Sequence, residues 1–434
     1  MNKIEALIQQ LSELPKGYIS KKTIKGKIYF YWQHLENGKL KSKYIRSSEL
    51  ESFQEALKKR EQLEQELKEA KASIHELPRL SSRAKSFTGC LMTGDKVAAK
   101  FKNGSLTYID ETICPLYVKR TGNVEKFIEG RCLDLSRPNA RVLLKLFGIT
   151  NKSESLIPLY SYGACISDNY WFKPSGSKKT YEDIRFDNDF YSGIALNGGI
   201  PQLKSFGSPS PELTNIGSFE KCWKLINNEW WMLKKGDEDQ IFSELFSSRL
   251  AAKLGIPTAI YEYDNGNVRT KNFASNYNFE PMYALCDDDE TYEVVFDILK
   301  GLGEEIAKSY LLLLFFDCIV YNVDRHNNNY GVLRDKDNGV IVSLAPNFDD
   351  NLSLLAYNKT LDQNPKTDPL IKMFVDFLKK RPDALELFKT AEVNRITKED
   401  VTSIFKGIPI QRDETKITNF VLPRYEYLMG IKES

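Results

Sequence analysis

Tyr321-Asn322-Val323-Asp324-Arg325-His326-Asn327-Asn328-Asn329-Tyr330-Gly331, followed by Ala345-Pro346-Asn347-Phe348-Asp349-Asp350-Asn351, decides the reading of this 434-residue chain. An apolar run from Leu311 to Val320 leads in, and Asp324 and Asn329 then stand five positions apart in a polar loop. Tyr330 to Leu333 and Val340 to Val342 read as a strand pair that returns the chain to a second acidic cluster. A carboxylate to receive a hydroxyl proton, with a carboxamide and another carboxylate to hold a divalent cation on phosphates, are parts of a phosphoryl-transfer site. Alone, an Asn-rich turn after a buried helix is usually only a turn. The other parts must come from elsewhere in the chain.

Upstream, Ser208-Pro209-Ser210-Pro211 opens a loop that continues as Leu213-Thr214-Asn215-Ile216-Gly217-Ser218-Phe219-Glu220-Lys221. Such a loop ahead of a strand lets backbone N–H groups approach phosphate, with Gly217 free of a Cβ. A hairpin follows, Cys222 to Ile226 and Trp230 to Lys234, turned at Asn227-Asn228. Lys234 ends its strand where an ammonium reaches the α- and β-phosphates, while Lys235 points to the opposite face and serves as its control. Most strand-end lysines are merely solvated, so the next element matters. The helix from Asp239 to Leu254 stops at Gly255 and Pro257 and aligns Phe242, Leu245, Phe246, Leu250 and Leu254 on one face. Glu244, one turn in, is placed to pair with Lys234; the plain alternative is an exposed helical Glu. Ala259 to Tyr263 and Gly266 to Thr270 resemble another hairpin, and Lys271 to Leu285 is a connector in which no adenine contact is legible.

Beyond Asp287 the pattern is helical over 293–299, 303–320, 370–380, 382–390 and 398–405. Asp317 lies within an apolar helix, which is costly unless it is hydrogen-bonded; its expected role is to tie the helix to the Asp324 loop. Arg412, Lys416 and Arg424 are basic and belong to no motif.

Residues 1–75 read as a separate module. Gly17 to Ser20, Ile28 to Trp32 and Lys43 to Arg46 are strand-like, with turns at Lys25-Gly26 and Asn37-Gly38, and a charged helix spans Glu49 to about Ala72. Lys16, Lys21, Lys22, Lys25, Lys27, Lys39, Lys41, Lys43 and Arg46 stand against Glu36 alone. Basic residues interleaved with Tyr29, Tyr31 and Trp32 suit a nucleic-acid groove, in a layout similar to the three-stranded arm-type modules of integrases. A solvated basic hairpin that docks on a partner is the plainer reading. A linker with Pro78 and Ser81-Ser82-Arg83 follows. From Leu91 to about Leu196, short strands (Val97 to Phe101, Leu106 to Ile109) accompany one clear helix, Pro138 to Phe147, without a catalytic constellation. The aromatic-acidic stretches Ser167 to Phe172 and Phe186 to Phe190 read as packing against the next lobe.

The formal net charge of +2 gives no global polyanion signal. Seven scattered cysteines without a CxxC pair argue against a disulfide framework or a zinc ribbon. The amphipathic N-terminus lacks a signal-peptide core, and the longest apolar run is too short to span a bilayer. A cytoplasmic protein without membrane contact is expected.

Asn322-x-Asp324-x-His326-x-x-Asn329-x-Gly331 with Leu344-Ala345-Pro346-x-Phe348-Asp349 resembles the HipA-like serine/threonine kinase family, and Thr214 to Lys221 is similar to its phosphate-covering loop at Gly217, Glu220 and Lys221. The resemblance runs from Ser208 to the C-terminus, more loosely back to about Leu91, and leaves residues 1–75 uncovered. It implies an α+β, bilobal protein-kinase-like fold, with a β-rich extension and N-lobe over 91–285 and a helical C-lobe over 286–434. By position, Asp324 matches the catalytic base, Asn329 and Asp349 the Mg2+ ligands, Lys234 the lysine on the phosphates of ATP, and His326 a loop histidine. Asp350 is the neighbouring control. Family members carry a loop Ser whose autophosphorylation ejects the loop; here Thr214 holds that position, with Ser218 nearby. The family often supplies the toxin of a toxin–antitoxin pair silenced by a DNA-binding partner, a contact that residues 1–75 would make in cis.

The expected activity is Ser/Thr protein kinase. A small-molecule or lipid kinase would use the same loop, and a catalytically silent DNA-binding regulator is the non-enzymatic alternative. A metal hydrolase would find too few histidines beside Asp324, and the absence of GxxxxGK[ST] excludes a P-loop NTPase.

Overall fold

The computed structural model describes residues 7, 10–11, 13–24, 26–36, 39–74, 88–102, 104–149, 153–198, 209–287, 290–354 and 364–434. The expected turn at Asn37-Gly38, the linker around Pro78 and Ser81 to Arg83, and Ser208 lie outside them, as does Lys25 of the other turn. The chain divides into two compact units, Met1–Arg79 with Leu203–Ser208, and Leu80–Gln202 with Pro209–Ser434.

In the first unit, β1 (Tyr18–Ile24), β2 (Lys27–Glu36) and β3 (Lys39–Ile45) form an antiparallel sheet in chain order, followed by α1 (Leu50–Ile74). The register pairs Ile19 with Trp32 and Phe30 with Ile45, so these apolar residues share one face. Trp32 meets Phe53 of α1 at 5.3 Å between ring centroids, so the helix covers that face. The other face carries Tyr18, Ser20, Lys22, Tyr29, Tyr31, Ser42 and Tyr44. The Gln33 amide joins Ser20 and Ser42 across it at 2.9 and 3.0 Å.

Among the described residues, the second unit is mixed α/β with three antiparallel sheets. β4 (Gly89–Thr93), β5 (Lys96–Lys102), β6 (Ser105–Tyr108) and β7 (Tyr170–Pro174) lie in the order β6-β5-β4-β7. Their inner face buries Leu91, Ala98 and Phe172 against α2 (Leu116–Thr121) and α3 (Val124–Glu129), while α4 (Ala140–Leu146), α5 (Tyr181–Ile184) and α6 (Ser192–Asn197) complete this region. Next, β8 (Lys221–Ile226) and β9 (Glu229–Lys234) join β10 (Tyr261–Asp264) and β11 (Asn267–Lys271) in the order β10-β11-β9-β8. Between them in sequence runs α7 (Glu238–Leu254), opened by an Asp237–Gln240 capping box and closed by Gly255 at φ +78°.

The segment expected to be a plain connector contains a strand. β12 (Tyr277–Pro281) pairs with β13 (Gly331–Asp335), which pairs with β14 (Ile341–Leu344). Gly331 is required there, because a Cβ would strike the Glu280 carbonyl. The helices α8 (Tyr292–Leu302), α9 (Glu304–Val320), α10 (Pro369–Lys380), α11 (Pro382–Thr390), α12 (Lys398–Ile404) and α13 (Glu414–Glu433) build the largest core around α9, which is buried on every side from Tyr310 to Val320. No motif marked α13 in the sequence. Its Arg424, expected as a loose basic residue, is fully buried and donates to Asp368 at 2.8 Å and to the Cys318 carbonyl at 2.7 Å.

A buried polar cluster fastens the first sheet of this unit to the third. Glu280 of β12 accepts from Tyr170 of β7 at 2.7 Å, from the Leu116 N–H at 2.6 Å and from Arg334 of β13. Arg334 in turn donates to the carbonyls of Thr112 and Cys114 at 2.6 and 3.0 Å. Among the described residues, no helix is long and apolar enough to cross a membrane.

Candidate active site

Lys234 is the last residue of β9 and its side chain is buried; Lys235, just past the strand, does not line the cavity that Lys234 lines. The Lys234 ammonium donates to Glu244 of α7 and to Asp349 after β14, each at 2.5 Å. Lys234 is 5% exposed and Glu244 1%, so the Glu is buried behind the Lys and reaches any ligand only through it. Burial opposes the Lys234 charge, but Asp349 and Glu244 outweigh it and hold the ammonium well above its ordinary range. One cation cannot fully satisfy two carboxylates, one of them fully buried. Burial therefore pushes Glu244 up, whereas for Asp349 the nearby Lys234 and Lys221 overcome burial and hold it down.

Asp349 takes a left-handed backbone (φ +65°), a conformation that costs a residue with a Cβ. This turns consecutive carboxylates apart. Asp349 lines the cavity, while Asp350 is 1% exposed and faces inward to Asn322 (3.0 Å), Arg325 (3.0 Å) and Asn347 (2.6 Å). The Asp350 N–H also donates to Glu244 at 2.8 Å. Asp350 is thus a framework residue.

Arg325 holds the two loops in register. It donates to both Asp317 oxygens (2.8 to 3.3 Å), to the Asn329 carbonyl at 2.8 Å, to the Phe348 carbonyl at 3.0 Å and to the Asn347 side chain at 2.6 Å. Asp317 accordingly ties α9 to the Asp324 loop, as its burial in an apolar helix predicts. Only the tertiary contacts reveal Arg325 as the hub; its signal in the sequence was a buried acid in need of a base.

Within that loop the Asp324 N–H is held by Asn322 at 3.0 Å, and its carbonyl accepts from the His326 N–H at 2.9 Å and the Asn329 amide at 3.1 Å. The Asp324 carboxylate accepts no protein hydrogen bond among the described residues. Burial raises its pKa, with Asp349 adding to the rise and His326 opposing it. His326 is exposed, and its Nδ1 accepts from the Asn328 N–H at 3.2 Å, so it shapes the loop.

The loop before β8 divides in two. Pro211–Thr214 is a turn of 3-10 helix, and Thr214 is 5% exposed with its hydroxyl on the Ala164 carbonyl at 2.6 Å. The Thr214 hydroxyl is therefore withdrawn into the scaffold, whereas Ser218 is exposed and Gly217 bends at φ +108°. Lys221, opposite Lys234 in the β8–β9 register, also reaches the cavity, and burial lowers it to about 8.

Lys234, Asp349, Asp324, Asn329, His326, Thr214, Gly217 and Ser218 all line one cavity of about 940 Å3. Two of them, Asp349 and Asn329, offer oxygens for a hard cation. The Asn329 amide nitrogen is committed to Asp324, which leaves Oδ1, and Asp349 has a second carboxylate oxygen beyond its bond to Lys234. No cluster of three His, Cys, Asp or Glu side chains among the described residues is arranged to hold a metal by itself. This donor set fits Mg2+ shared with phosphate oxygens and does not suit zinc.

Comparison with known proteins agrees at the level of the fold. Residues 2–55 match a family described as a domain of unknown function, DUF6788. No curated protein matches the chain. The Helicobacter pylori proinflammatory kinase CtkA is 18% identical over 49% of this chain and 92% of its own, with a TM-score of 0.39. HipA of Shewanella oneidensis MR-1, solved with HipB and operator DNA, is 13% identical over 80% of this chain and 98% of its own, with a TM-score of 0.52. The chain has a fold similar to that of HipA.

Proposed function

We propose that this protein is an ATP- and Mg2+-dependent kinase that phosphorylates a Ser or Thr hydroxyl of a cytoplasmic protein. The observation that carries the reading is Lys234 fixed between Glu244 and Asp349 in the cavity that also holds Asp324 and Asn329. A bilobal arrangement would put the β8–β11 sheet and α7 in one lobe and the helices around α9 in the other. Lys234 would neutralise phosphate charge, Asn329 and Asp349 would hold the cation, and the Gly217–Ser218 stretch would supply backbone donors to the phosphates. When bound, Mg2+ draws charge from the phosphate oxygens. The acceptor oxygen bonds to the γ-phosphorus, the bond to the β-phosphate oxygen breaks to release ADP, and the hydroxyl proton passes to Asp324. Because the Asp324 carboxylate is unpaired and its pKa raised, it is a better base than an ordinary surface Asp.

The test is transfer of ³²P from labelled ATP in a cell lysate. Asp324→Ala should lower transfer roughly 10²- to 10⁴-fold while circular dichroism stays unchanged. Label in solvent-extractable material would favour a small-molecule or lipid acceptor, and nucleotide binding without transfer would favour a silent regulator.

A regulatory reading follows from loop exposure. Ser218, and not Thr214, is the hydroxyl open to autophosphorylation. A toxin–antitoxin role with a DNA-binding partner rests on the fold alone. DNA contact by residues 1–75 has support of its own: the sheet face away from α1 exposes Tyr18 by 57% and Tyr44 by 48%, and Lys22 stands 5.0 Å from the Tyr31 ring. Tyr hydroxyls and lysines on a bare sheet suit phosphate contacts. In a mobility-shift assay of the full chain on duplex DNA at low salt, Lys22→Glu should weaken binding. No shift by the wild type on any duplex would sink this part.

A further inference from the structure

The β-rich region between Gly89 and Asn197 has no assigned role in the proposed chemistry, yet it reaches the Gly217 loop from behind. Leu133 donates its N–H to the Leu213 carbonyl at 3.1 Å, and Ser161 and Ser210 exchange hydrogen bonds at 2.9 and 3.0 Å. Arg137, just ahead of α4, goes further. It is 1% exposed, and its Nη2 donates to the carbonyls of Asn215 at 2.5 Å and Gly217 at 2.7 Å, with Nε adding a bond to Gly217 at 3.1 Å.

Those two bonds dictate where the loop's donors point. The described peptide bonds include no cis bond, and in a trans peptide the N–H lies opposite the carbonyl of the preceding residue. With the Asn215 and Gly217 carbonyls turned to Arg137, the N–H groups of Ile216 and Ser218 face the other way. Neither N–H has a protein acceptor among the described residues, and both residues line the cavity that holds Lys234 and Asp349.

We infer that Arg137 is a positioning residue that aims the Ile216 and Ser218 N–H groups at nucleotide phosphates. The guanidinium also draws charge from both carbonyls and so makes the two N–H groups stronger donors to an anion. Arg137 touches no substrate itself, and Lys cannot replace it, because one ammonium lacks the rigid fork that spans two carbonyls. This rests on the proposed kinase reading and gives the β-rich region a part in nucleotide binding.

Calorimetry on the full chain with Mg·ATP, inorganic tripolyphosphate and adenosine tests it. Arg137→Met and Arg137→Lys should weaken ATP and tripolyphosphate binding roughly 10- to 100-fold, as for lost hydrogen bonds to charged groups, and leave adenosine unchanged. Wild-type ATP affinity in a folded Arg137→Met protein would overturn the inference, and so would a parallel loss of adenosine, which marks a merely structural role. If both variants fail to fold, hydrogen exchange on the wild type decides: tripolyphosphate should protect the Ile216 and Ser218 amides, and no protection overturns the inference. A wild type that binds neither ATP nor tripolyphosphate would refute the kinase reading itself.

Discussion

Asp350 accepts from three buried side chains, whereas its neighbour Asp349 meets Lys234 at the cavity wall. Removing Asp350 leaves the buried Asn322 and Asn347 amides without their acceptor, while Arg325 keeps Asp317. Asp350→Ala should therefore cost about 1–3 kcal/mol in denaturant unfolding, the cost of a stranded buried donor, and its activity must be read beside its stability. Asp349→Ala should abolish ³²P transfer with a much smaller loss, since Lys234 keeps Glu244. The pH profile speaks to Asp324. Its raised pKa means that the carboxylate is protonated, and transfer lost, at a pH above the ordinary Asp range. His326 opposes that rise, so His326→Ala should move the acid limb of kcat to still higher pH; an unmoved limb would show that Asp324 is not the titrating base. At this scale it was legible from residue type and spacing that Lys234, Asp324, Asn329 and Asp349 belong together, and they line one cavity. The division of labour between Asp349 and Asp350 was fixed by a left-handed backbone angle and by Arg325, neither of which a sequence pattern displays.

Among the elements, the 3-10 turn Pro211–Thr214 carries a second titration. Glu212 is 1% exposed, accepts from the Trp223 N–H at 2.8 Å and from Asn215 at 3.1 Å, and is pushed by burial up to about 7 from 4.5. The folded chain therefore keeps a proton that the unfolded chain releases. This contribution is fully present below about pH 4.5 and is lost as pH rises to about 7, roughly 3 kcal/mol in all. Glu212→Gln should flatten the stability curve over that window in thermal melts at several pH values. The hairpin β8–β9 and the helices α7 to α9 were legible because turn residues and apolar periodicity are local signals. β12 was not, since an edge strand is made by its partner and β13 lies about fifty residues on. The helix α13 escaped for a related reason: buried arginine breaks an apolar stripe, and only Asp368 and the Cys318 carbonyl explain Arg424 inside it.

For the whole molecule, the joint between the β4–β7 sheet and the β12–β14 sheet is polar and buried, so its loss is expensive on both sides. Arg334→Met strands Glu280 and should lower stability by about 3–5 kcal/mol, with hydrogen exchange rising together in β4 and β12. Faster exchange in β4 alone would show that the two sheets unfold separately. By itself the sequence determined the chemistry on offer: a base-bearing Asn-rich loop, a strand-end lysine, a downstream aspartate, and a basic three-stranded module apart from them. These follow from residue type and short-range spacing. Tertiary structure alone decided which carboxylate faces the cavity, that Arg325 locks the two loops, and that the β-rich region grips the Gly217 loop through Arg137. Each of these depends on groups far apart in the chain and on the direction of a backbone carbonyl, and burial converts that direction into energy.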